Sequence, residues 1–125
     1  MCSGIRLVVW KPVVTSSSFE AWELRQRQKE LLEAIEEAVK MAEELTWPPQ
    51  PIYIVNRIRE HLVPALFDAR TYIEVGEVAA PAIRERLMAA RLVAADLSTE
   101  DQVFDRLFSR LRAISEEADN VARLA

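Results

Sequence analysis

Apolar residues recur at alternating spacings of three and four along this chain, and the spacing predicts its architecture. Ala21, Leu24, Gln28, Leu31, Ile35, Ala38, Ala42 and Leu45 fall on one side of an α-helix, with Leu32, Ala34, Val39 and Met41 widening the face. Phe104, Leu107, Leu111, Ile114, Ala118, Val121 and Ala125 repeat the pattern at the other end. A third stripe runs through Ile52, Val55, Ile58, Leu62, Leu66, Ala69 and Ile73, opened by Pro51 and interrupted by Pro64. A helix with a continuous apolar stripe is stable in water only when the stripe is packed against other helices. The expected fold is therefore all-α: an antiparallel bundle of four helices, or five if the second splits at Pro64.

Punctuation places the boundaries. Ser17 and Glu20 have the spacing of a capping box, which predicts a first helix from near Ser18 to about Leu45. Trp47-Pro48-Pro49-Gln50-Pro51 is a stiff connector, and Gly76 is the natural stop of the second helix. Pro81 opens a third helix running to about Ala95. Its alanines at 79, 80, 82, 89, 90, 94 and 95 leave it apolar over much of its circumference, so it should be central or covered by another subunit. Ser98 with Asp101 forms a second box, from which the fourth helix should start near Thr99.

Ile5-Arg6-Leu7-Val8-Val9-Trp10 is β-branched and aromatic, and reads as an extended arm over residues 1–17 ahead of a helical domain over 18–125. A lone strand leaves backbone groups unpaired. It needs Ile52 to Val55, which would make the fold α+β, or a second copy of the chain, or another partner. The other arrangement lays the arm across the bundle with Val8 and Trp10 plugged into the core.

Composition narrows the class further. A chain of 125 residues, half apolar, 29% charged and with two glycines, is one compact domain and neither a disordered segment nor a many-turned β sandwich. The net charge of −4, with acidic residues gathered between Ser18 and Leu45, lacks the clustered positive charge of a nucleic-acid footprint. The lone Cys2 excludes an internal disulfide and a cysteine-based zinc site. The run from Ile5 to Trp10 is too short for a signal-peptide core, and no stretch approaches the ~18 apolar residues of a membrane span. A cytoplasmic protein with no membrane partner is expected.

No motif has the spacing of a nucleophilic triad, a metal site or a phosphate loop, so no catalytic residue, cofactor or metal is assigned. Glu33-x-x-Glu36 and Glu116-x-x-Asp119 nevertheless have a form that resembles the magnesium-binding motifs of the all-α nucleoside triphosphate pyrophosphohydrolases. The resemblance implies that these four carboxylates hold metal against a triphosphate. Relative to the ladders they point away from the apolar seam, the position of a solvated charged face.

His61 shares a stripe with Arg57, Asp68 and Tyr72, a set with acid-base capacity but on the wet side of the second helix. Its solitude excludes a di-iron bundle, which takes two such histidines. Arg84, Arg86, Arg91, Arg106, Arg110 and Arg112 are interspersed with acids and read as surface pairs.

The aromatic residues carry the strongest functional signal. Trp10, Trp22 and Trp47 flank the regular elements, where they either plug bundle ends or anchor an interface. The expected function is a non-enzymatic helical interaction or oligomerisation module that forms a homodimer or a subunit of a larger complex. Its interface candidates are Ile5, Leu7, Val8, Val9, Trp10, Trp22 and Trp47. A second reading is a sensor domain with a small apolar ligand among Met88, Phe104, Phe108 and Tyr72; a third is the metal-dependent pyrophosphohydrolase.

Overall fold

A computed structural model of the chain describes residues 12–47 and 50–124, with side chains from residue 19 onward. Within them the fold is an all-α bundle with no strand. Helix α1 spans Pro12–Glu44, α2 Ile52–Arg57, α3 Val63–Glu74, α4 Pro81–Glu100 and α5 Asp105–Leu124. A π-helical turn, Ile58–Leu62, joins α2 to α3, and the backbone stays in the right-handed helical region across both junctions. The second stripe is thus one rod, and Pro64 does not split it. Pro64 has no N–H and its ring crowds the carbonyl four residues earlier. The wider turn just before it, in which the Val63 N–H reaches the Ile58 carbonyl, accommodates the ring without a break.

Four rods pack in a ring: α1 on α3 and α5, α4 on the same two, with α1 and α4 diagonal. Side-chain pairs show that ring neighbours run antiparallel. Arg27 meets Glu117 and Gln28 meets Ile73, while Arg86 meets Asp68 and Arg57 meets Asp96. Every fully buried residue among the described ones is apolar. Leu31, Ile35, Ile58, Leu62, Leu66, Ile73, Leu87, Leu97, Phe104, Leu107, Leu111 and Val121 are the largest fully buried side chains.

Three boundaries differ from expectation. Helix α1 begins at Pro12, so Ser17 and Glu20 lie inside it and are not a cap. Proline is favoured in a first turn, where the donor it lacks has no partner to lose. Helix α4 continues through Ser98 to Glu100, and the cap belongs to Asp101, whose side chain accepts the Val103 N–H at 3.0 Å and starts a short 3₁₀ turn, Gln102–Phe104. Ser98 hydrogen-bonds Asp105 instead. Ile52 to Val55 opens α2, which removes it as a strand partner and with it the α+β alternative.

Gly76 is the stop it was expected to be. Its φ of +86° ends α3 in a left-handed turn that returns the Gly76 N–H to Ile73 and the Glu77 N–H to Tyr72. The chain then reverses through Val78, which is buried, into Pro81.

Candidate functional site

Helix α1 is longer than the neighbours that cover it. Its 33 residues reach about 50 Å, against about 30 Å for the 20 residues of α5. The Arg27–Glu117 and Glu37–Arg110 pairs fix the register and bring Leu124 roughly level with Trp22. The part of α1 up to Trp22 therefore reaches the described end of α5 and continues beyond it. On it Phe19 and Trp22, three apart on one face, stack with ring centroids 6.0 Å apart and an interplanar angle of 29°. They are 59% and 52% exposed, which leaves a large apolar surface at this end of the described bundle.

Of the interface residues expected from sequence, Trp22 belongs to this tip and Trp47 does not. Trp47 is 71% exposed and sits beyond the other end of α1, where it lines a shallow concavity of about 420 Å³ with Glu43, Thr46, Arg59 and Val63. The part of α1 from Trp22 to Glu44, about 33 Å of helical rise, lies between the two. Ile5, Leu7, Val8, Val9 and Trp10 lie outside the described residues.

The base of the projection is held on both sides. Arg27 donates from Nε and one terminal nitrogen to the two carboxylate oxygens of Glu117, each at 3.1 Å. That hydrogen bond, followed by the attraction of the carboxylate, raises the Arg27 pKa above its ordinary value. One residue on, Gln28 donates its amide to the Ile73 carbonyl at 2.7 Å. The polar member of the first ladder thus serves the C-terminal end of α3. Sequence spacing placed Gln28 on the right face but gave no sign of this role, because its acceptor is a backbone atom 45 positions away.

A second feature lies between α4 and α5. A groove of about 530 Å³ is walled by Val78, Ile83, Leu87, Met88, Ala118 and Ala122, with Arg84, Arg91, Ser115 and Asp119 as its main polar groups. The ligand pocket expected around Met88, Phe104, Phe108 and Tyr72 is not assembled: Phe104 is fully buried in the core, Phe108 and Tyr72 pack against it, and only Met88 reaches the groove.

The charged candidates disperse. Glu36 pairs with Arg70 at 2.6 Å and Asp119 with Arg84 at 3.1 Å, while Glu33 and Glu116 are exposed. Among the described residues no three His, Cys, Asp or Glu side chains converge as metal ligands. His61 is exposed on the π turn, and its stripe is occupied by ion pairs, Arg57 with Asp96 at 3.0 Å and Asp68 with Arg86 at 3.3 Å. Arg110 pairs with Glu37. Arg91, Arg106 and Arg112 have no ion-pair partner among the described residues. At the far end of the bundle Tyr53 donates to Glu100, and that hydrogen bond, reinforced by burial and the carboxylate charge, raises the phenol pKa.

No helix among the described residues is long and apolar enough to cross a membrane. Comparison with protein-family models, with curated proteins and with solved structures returns no match to this chain.

Proposed function

We propose that this chain is a non-enzymatic helical interaction module that associates with itself through the projecting part of α1. The observation that supports this reading is the stacked, half-exposed Phe19–Trp22 pair where α1 passes the described end of α5. A helical end of about ten residues that no described helix covers is marginal on its own and gains stability from packing. Two copies crossing by a twofold axis bury the same patch on each, so one surface suffices for assembly. Aromatic anchors of this kind supply a disproportionate share of interface energy.

Light scattering over the micromolar range tests the proposal. The full-length protein should be dimeric or larger, and Phe19→Asp combined with Trp22→Asp should release monomers whose far-UV circular dichroism is unchanged. A full-length chain that is monomeric throughout that range overturns self-association. An assembly unaffected by the double substitution moves the contact away from α1.

A further inference from the structure

The groove between α4 and α5 combines an apolar trough with a single uncompensated cation. Its volume of about 530 Å³ lies inside the roughly 300–1,000 Å³ of small-molecule sites. Arg84 and Asp119 neutralise one another across it at 3.1 Å. That leaves the charge of Arg91, which has no ion-pair partner among the described residues. The Arg91 Nε–H and the Ser115 hydroxyl oxygen are both shut off from solvent and have no hydrogen-bond partner. Buried polar groups are almost always satisfied, so two unmet ones lining one groove call for an explanation.

We propose that this groove binds a carboxylate with a single alkyl chain. The carboxylate pairs with the Arg91 guanidinium, a rotation of the Ser115 side chain turns its closed-over hydroxyl out to donate to it, and the chain lies along Leu87, Met88 and Ala118 towards Val78 and Ala122. From Arg91 to Pro81 the trough follows ten residues of α4, about 15 Å, with the unpaired charge of Arg91 at one end and the Arg84–Asp119 pair bordering the apolar surface nearer the other. One net positive charge matches one carboxylate. A phosphate monoester would bring a second charge into the apolar trough with nothing to meet it. The site is independent of the self-association proposed above, since Phe19 and Trp22 do not line it.

Calorimetric titration of the full-length protein with octanoate, decanoate, decanol and acetate, all below micellar concentration, decides the matter. Saturable binding of one decanoate per chain is expected, tightening about fourfold for each added methylene until the trough is filled. Decanol should bind about tenfold more weakly or worse, and acetate not measurably. Arg91→Met keeps the packed stem and deletes the unpartnered donor, so it should weaken decanoate about tenfold or more without lowering the thermal midpoint.

Should Arg91→Met unfold the chain, Ala122→Phe takes its place. This half-exposed rim position can hold a ring that fills the trough from outside, which should abolish binding. Absence of saturable binding, acetate binding as tightly as decanoate, or either variant binding like the wild type overturns the proposal. A tenfold gain in affinity in the full-length Val8→Asp/Trp10→Asp variant also overturns it, because the chain's own apolar N-terminal segment is then the occupant.

Discussion

Helices α1 and α5 carry ladders of equal regularity, yet they are used differently. Every rung of α5 from Leu107 to Val121 is buried. Among the described side chains of α1 burial starts at Leu31; Leu24 and Gln28 are half-covered and Ala21 is exposed. The periodicity of a stripe states which side of a helix is apolar. How far along the helix that side is covered depends on the lengths of the neighbours and on their register, which here is set by pairs such as Arg27–Glu117. The uncovered rungs of α1 are where the chain has surface to spare for a partner.

The sharpest way to break the comparison is a matched truncation. Leu111→Ala in α5 should cost ~2–5 kcal/mol through lost burial and the cavity left behind, while Leu24→Ala in α1 should cost roughly 1 kcal/mol or less. Chemical denaturation measures both, and equal losses would mean that α1 is covered as far as Leu24. Next in size is Gly76→Ala. Beyond its chain neighbours no atom lies within 4 Å of the added methyl group, so the expected loss of about 1–2 kcal/mol is the strain of an L-residue at φ +86°. A variant as stable as the wild type would show that the turn into Val78 can relax.

Gln28→Ala tests the polar rung of α1. The Ile73 carbonyl keeps its bond from the Gly76 N–H, so the loss should be about 1 kcal/mol by denaturation and not the larger penalty of a stranded acceptor. The smallest effect belongs to Tyr53, far from the α1 tip. Because its folded pKa is raised above the unfolded value near 10, its contribution to stability is fully present below that pH and is lost as the pH climbs through the folded value. Ultraviolet titration should find one phenol ionising later than free tyrosine, and Glu100→Gln should bring that ionisation back down. A titration curve indifferent to Glu100→Gln would remove the bond.

The all-α bundle, the antiparallel order, the stop at Gly76 and the buried middles of the ladders were legible in the sequence, because each follows from spacing or from one residue's backbone preference. The boundaries at Pro12 and Asp101 were not. Serine and glutamate at capping-box spacing are also ordinary helix-interior residues, and only the three-dimensional ending of α4 decides between Ser98 and Asp101. Pro64 announced a disturbance, but the π turn that absorbs it depends on keeping Ile58 and Leu62 both on the core side. Nor did any local pattern mark the groove. Arg91 and Ser115 come from different helices, and Val78 from a connection, so their proximity is a property of packing alone.

Arg27 and Gln28, neighbours in α1, grip α5 on one side and the last turns of α3 on the other. In mechanical language they are the fulcrum of a lever. Phe19 stands eight residues out, an arm of about 12 Å on a stiff rod. A sideways load at the aromatic tip therefore enters the bundle as a bending moment at Glu117 and at Ile73. Both anchor points lie at the end of the bundle where α3 turns into α4 and α5 finishes, so that end takes up force first, and the end carrying Tyr53 and Glu100 last.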